Sequence, residues 1–351
     1  MLVYFGTYTG AKSQGIYQAP FDPATGRLGT PELAGRATSP SYLALHPNHR
    51  YLYAVSEVAS GVVYAFAIDE KTGKLTLLNQ QPSGGSGPCY LAVDSTGKCL
   101  VVANYNNGSI AALPIKADGS LAEPSTTIQH QGSSINRSRQ AGPHGHFITT
   151  DPANRFALAC DLGLDKVLVY RLDAAKGALT TNDPPSVSLK PGAGPRHLAF
   201  GADGRFVYVI AEMGSTITTM TYDASRGALQ EIQSVSTLPE GFQGTSTCAE
   251  VQVHPTGKFV YVSNRGHNSI AVFAVDPATG KLTQVECQPT QGKTPRHFAL
   301  DPSGKWLLAE NQDSDTIVAF GVDAKTGRLT PTGQTVSLGA PVCAVFWPGS
   351  K

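Results

Sequence analysis

The sequence predicts an all-β fold: a seven-bladed β-propeller of four-stranded antiparallel blades, its ring closed by pairing of the N- and C-terminal strands. Three observations predict it. A pattern of short apolar strands and turns recurs about every fifty residues along the chain, the signature of a repeat architecture. Gly (37) and Pro (24) are abundant, as many tight turns require. Charged residues make up only 15% of the 351, where globular chains usually carry about a quarter, so few are left for the solvent faces of helices.

The repeat reads strand by strand. A first short strand appears in "SYLALHP", "CYLAVDS", "HGHFITTDP", "RHLAFGAD", "AEVQVHP" and "RHFALDP". A turn of Asp or His, Pro and Gly with a basic residue follows, then a second, more apolar strand, as in "DPANRFALACDL", "ADGRFVYVIAE" and "HPTGKFVYVSNR". Third strands such as "KVLVYRLD" and "SIAVFAVD" come next, and turns such as "PATGKL" or "AKTGRL" lead to a weaker fourth. These are six units. "PVCAVFWPG" near the C-terminus matches a first strand, and "LVYFGTYT", "GIYQAPFDP" and "ATGRL" near the N-terminus match strands two to four. Joining the two ends gives a seventh blade and a ring with few exposed sheet edges. One domain therefore spans residues 1–351.

Topology then brings unusual residues together. Strands one and two are antiparallel, so the entrance of the first lies beside the exit of the second, at the mouth of the central channel. The entrances carry Tyr42, Tyr90, His144 with His146, Arg196 with His197, Glu250, Arg296 with His297, and Cys343. The exits carry Tyr8, Glu57, Asn104 with Tyr105, Asp161, Glu212, Asn264 with Arg265, and Glu310 with Asn311. A purely structural repeat would place similar residues in every unit. Instead the ionisable ones concentrate in the four units from "PHGH" to "TPRH", which points to a site. His144 and His146 alternate onto one strand face. Two long connections, 122–146 and 236–250, rise over the same mouth, and the first carries Arg137 and Arg139.

Composition excludes other classes. Net charge is +1 and no basic run occurs, so neither nucleic acid nor an acidic membrane is an expected partner. No apolar run approaches the roughly 18 residues of a membrane span. The six cysteines are dispersed in strand-like segments without a CxxC pair, which fits buried thiols in a reducing compartment, the cytoplasm. No metal or other cofactor motif appears, and the GxSxG signature of an acyl-enzyme hydrolase is missing.

The chain resembles the seven-bladed propeller lactonases, a group that includes propeller-type 6-phosphogluconolactonase and carboxy-muconate lactonizing enzyme. The likeness spans the whole chain and rests on "GTYTG", "SPSYLALHPNHRYLYAVSE", "GPHGHFITTDPANRFALACDLGLDKV", "AGPRHLAFGADGRFVYVIAE", "LPEGFQGTSTCAEVQVHPTGKFVYVSNRG" and "TPRHFALDPSGKWLLAENQDS". It implies a catalytic set of a histidine from "PHGH", His144 or His146, with Arg196, Glu212 and Arg265. His144 is favoured for its place directly after Gly-Pro. The expected reaction is hydrolysis of a small anionic lactone, most specifically 6-phospho-D-glucono-1,5-lactone. Glu212 or the histidine pair would act as general base, and Arg196 and Arg265 would hold the oxyanion or a carboxylate. Arg296 with Arg137 or Arg139 would hold phosphate. His197, His297, Glu250, Asn104 and Tyr105 complete the expected substrate-binding set. The alternatives are a muconate-type lactonizing cyclase and a non-catalytic propeller that binds a ligand or protein.

Overall fold

Strands such as Phe206–Ala211 (FVYVIA) and Phe156–Asp161 (FALACD) are buried along their whole length, on both faces. A strand buried on both sides needs a sheet packed against each face, and a ring of sheets supplies both. The computed structural model, which describes residues 1–349, has seven such sheets, each a meander of antiparallel strands. Numbered along the chain, the innermost strands of blades two to seven are Leu43–Leu45, Pro88–Val93, Gly145–Thr150, Pro195–Phe200, Thr247–Val253 and Pro295–Leu300. Each innermost strand neighbours the next around the ring.

Blade one closes the circle. Its innermost strand is Pro341–Trp347, paired antiparallel with Leu2–Thr7, which continues to Gly15–Asp22. The outermost strand of this blade is split into Arg27–Leu28 and Glu32–Arg36. Among the described residues no central apolar core forms. Seven separate clusters lie between neighbouring blades instead; one joins Phe147, Leu158 and Val169 of blade four to Leu198, Val209 and Met220 of blade five. Five of the six free cysteines are buried, as their apolar settings suggest. Among the described residues no helix is long and apolar enough to cross a membrane.

Polar contacts at the turns lock blade to blade. On the face away from the mouth, buried Asp94 accepts the amides of Lys98 and Cys99, each at 2.7 Å, and Asp151 and Asp301 clasp their turns in the same way. In two other blades a histidine takes this place and reaches across: His46 Nε2 lies 3.0 Å from the Gly97 carbonyl, and His254 Nε2 2.9 Å from that of Gly304. Tyrosines of the second strands do the same elsewhere. Tyr4, Tyr53 and Tyr261 donate to the carbonyls of Gly73, Gly119 and Gly327 at 2.7, 2.9 and 2.8 Å. Gly327 is required twice over: its φ is +73°, and a Cβ there would lie 2.5 Å from the Phe259 ring.

Removing one of these hydroxyls leaves a buried carbonyl without a partner. Tyr53→Phe and Tyr261→Phe should each lower stability by about 1 kcal/mol, read as a shift of the urea midpoint with an unchanged slope.

Candidate active site

The residues at the mouth are presented by a β-bulge repeated around the ring. In six blades the ladder between strands one and two slips at the entrance and leaves residues of the inner strand without a single opposite partner. They are Val342 in blade one, Cys89 in blade three, His146 in blade four, Arg196 in blade five, Ala249 with Glu250 in blade six, and Arg296 in blade seven. A bulge re-aims a side chain without breaking the flanking pairs. Val342, Cys89, Arg196 and Arg296 turn into one narrow pocket, lined also by Ser41, Tyr42, Glu57, His197 and His297. A larger recess of about 760 Å³ beside Lys190 and Glu231 lies outside the mouth and gathers no comparable chemistry.

On one side of the mouth, three chain segments converge on Glu212. One carboxylate oxygen accepts Arg139 Nη2 at 2.7 Å; the other accepts Arg196 Nε at 3.0 Å and lies 2.9 Å from Arg265 Nη2, which donates to the Cys248 carbonyl. Burial alone would raise the pKa of Glu212. The guanidiniums of Arg265 and Arg196, with help from Arg139, outweigh it and hold the carboxyl well below the usual range. Arg196 is almost fully enclosed, its Nη1 donating to the Ala249 carbonyl and to His197 Nε2 (3.1 Å). Desolvation and the neighbouring cations lower its pKa to about 10, so it is still charged at neutral pH. The long 122–146 connection delivers Arg139, whose Nη2 also lies 3.1 Å from the Tyr105 hydroxyl.

His146 takes the position in blade four that Arg196 holds in blade five. Its Nδ1 lies 3.8 Å from Cys89 Sγ, its ring meets those of Tyr105 (5.4 Å) and His197 (5.2 Å), and Nε2 makes no hydrogen bond. Burial, reinforced by Arg196, keeps its pKa well below 6.5, so the imidazole is neutral at neutral pH. His144 sits one pleat earlier, at the rim. It stacks on Tyr105 (4.6 Å) and its Nδ1 lies 2.9 Å from the Tyr105 carbonyl. His144 and His146 are thus set apart by the bulge, His144 at the rim and His146 at the bulged position.

Beneath the pocket lies a buried polar floor. His197 accepts Arg196 on Nε2, so Nδ1 carries the hydrogen donated to Glu250 Oε2 (2.8 Å). His297 Nε2 is 3.9 Å from the same Glu250 oxygen, and its Nδ1 is 2.9 Å from Glu310 Oε2. Desolvation raises Glu250 to about 7, lifts Glu310 well above its ordinary value, and lowers both histidines. Tyr42 and Tyr90, 4.0 Å apart, pack against this layer. His197, His297 and Glu250 thus support the site from below.

Two expected ligands point elsewhere. Asn104 is fully buried and donates to Ser83 O and Ser109 Oγ, tying chain segments together away from the pocket. Arg137 is exposed and joins no ion pair, while its neighbour Arg139 enters the site. Cys89 is buried, as expected of a strand cysteine, and also lines the pocket; a Pro immediately before it, as before Arg196, Arg296 and Val342, is the signal for that second role.

The Glu212 cluster carries a pH signature. Folding lowers the pKa of this carboxyl from its ordinary 4.5, so its stabilisation is complete above that value and is lost as pH falls toward the folded pKa. Glu212→Gln should cost about 3–5 kcal/mol at pH 7, because three cations lose their shared anion. The gap between the unfolding midpoints of wild type and variant should narrow steadily below about pH 4.

Comparison with known proteins matches this geometry to a family. The family model for the 7-bladed beta-propeller lactonase matches residues 2–346. The 6-phosphogluconolactonase of Bacillus subtilis is 39% identical over 299 residues, covering 85% of this chain and 84% of that protein. The 6-phosphogluconolactonase of Formosa agariphila is 32% identical over 306 residues, 85% and 86% of the two chains. The solved periplasmic gluconolactonase of Pseudomonas aeruginosa is 36% identical and superposes with a TM-score of 0.94, covering 99% of this chain and all of that one. With its blades, bulges and cationic mouth, this chain belongs to the seven-bladed β-propeller lactonase family.

Proposed function

We propose that this protein hydrolyses 6-phospho-D-glucono-1,5-lactone to 6-phosphogluconate at the channel mouth. The observation that carries this reading is a neutral histidine, His146, whose Nε2 makes no hydrogen bond, close to Arg196, Arg296 and Glu212. A base that keeps its lone pair beside fixed cations suits attack of water on an ester whose carbonyl oxygen gains charge. His146 Nε2 takes the proton of the attacking water and returns it to the ring oxygen as the acyl–oxygen bond breaks. Arg296 makes no hydrogen bond of its own, so its N–H groups are free for the carbonyl oxygen. Arg139, partly exposed at the rim, meets the phosphate.

Glu212 is then an organiser of arginines rather than the base. A carboxylate shared by three guanidiniums is too weakly basic to take a proton from water. A cyclase acting on a muconate-type dicarboxylate would have to seat extra negative charge beside Glu57, which lines the same pocket. A phosphorylated sugar lactone also goes with a cytoplasmic setting.

Opening of the lactone, corrected for spontaneous hydrolysis, tests the reading directly. His146→Gln should lower kcat by about 10²–10⁴-fold. A wild-type rate no faster than background would refute the substrate. Because the folded His146 stays neutral below its ordinary pKa, kcat/KM should hold level down through pH 6.5 and fall only in more acid solution. Arg139→Ala should raise KM for the phosphorylated lactone several-fold more than for the unphosphorylated one.

A further inference from the structure

Glu57 occupies the same place in blade two that Glu212 occupies in blade five. Both end a second strand and both donate their backbone amide to the entering segment, Glu57 to Ser39 O (3.0 Å) and Glu212 to Gly194 O (2.6 Å). Their surroundings differ sharply. Glu212 is saturated by three guanidiniums. Glu57 Oε2 accepts the hydroxyls of Tyr8 (2.9 Å) and Ser41, whereas Oε1 has no hydrogen bond and faces Arg296 Nη2 at 3.7 Å. Arg296 itself lies over the Tyr8 ring at 5.4 Å and makes no other ion pair. One acceptor oxygen and one set of N–H donors therefore stand side by side in the pocket, each with unused capacity.

We infer that Glu57 and Arg296 together read an α-hydroxy lactone: Arg296 donates to the carbonyl oxygen, and Glu57 Oε1 accepts the hydroxyl on the adjacent carbon. The inference rests on the lactonase reading above and narrows it to aldonolactones that keep the 2-hydroxyl. Carbonyl and hydroxyl oxygens on neighbouring carbons are close together, as the Glu57–Arg296 pair demands. Tyr8 and Ser41 fix the carboxylate by donating only to Oε2, which leaves the lone pairs of Oε1 directed at ligand. A carboxylate here favours a hydroxyl donor and repels a second carboxylate, so specificity comes from attraction and exclusion at one atom.

The test compares D-glucono-1,5-lactone with its 2-deoxy analogue in wild type and in Glu57→Gln. A hydrogen bond from a neutral hydroxyl to a charged acceptor is lost with the 2-deoxy lactone, leaving Oε1 desolvated. Wild type should therefore prefer the 2-hydroxy lactone in kcat/KM by about 10- to 100-fold. Glu57→Gln should shrink that preference to about threefold or less. Equal kcat/KM for the two lactones in wild type would overturn the inference without any variant, and so would a preference unchanged in Glu57→Gln. Failure of wild type to open both D-glucono-1,5-lactone and its 6-phosphate would instead overturn the lactonase reading, and this inference with it.

Discussion

Pairing of Pro341–Trp347 with Leu2–Thr7 is the constraint on which the rest depends. Without it the seven wedges would form an open row, with the apolar faces of two end blades exposed. With it every blade is packed on both sides, and residues as far apart in sequence as Glu57 of blade two and Arg296 of blade seven come within 3.7 Å. The site is a product of closure, because no single blade contains it. Glu212 shows this most plainly: its three arginines come from the 122–146 connection, its own blade and the next.

Much of the architecture was legible because a propeller repeats its signals. Six copies of strand, turn and apolar strand set six blades, and the two ends supplied the seventh because their segments match the strands of one further unit. Antiparallel pairing then sent Arg196, Glu212, Arg265, Arg296 and the PHGH segment to one face, where the structure gathers them. What could not be read was which atom meets which. Simple alternation places His144 and His146 together, but a bulge moves one into the pocket register and leaves the other stacked at the rim. Asn104 lies at a strand exit by sequence and still turns inward to Ser83 and Ser109. Such choices are made by local hydrogen bonding, which strand periodicity does not record.

Electrostatics also escaped the sequence. Two glutamates at equivalent backbone positions acquire opposite characters, one clamped by cations and one left with an open oxygen. Two more, Glu250 and Glu310, lie in the floor where desolvation favours the protonated acid. His197, between Arg196 and Glu250, has its tautomer dictated from both sides. The mouth therefore combines permanent positive charge above with a polar but nearly neutral layer below. A floor of that kind supports Arg196 without drawing its charge away from the pocket.

The bulge has a further consequence for how such a molecule can change. A bulged residue is supernumerary to the ladder: its neighbours on either side keep their partners whether it is Val342, Cys89, His146, Arg196 or Arg296. The side chains that decide the chemistry are thus decoupled from the pairs that hold each blade together. Each blade contributes an interchangeable slot, and the apolar clusters that maintain the ring lie between blades, apart from these slots. A lineage built on this scaffold can explore new reactions one slot at a time, with every intermediate still a closed ring.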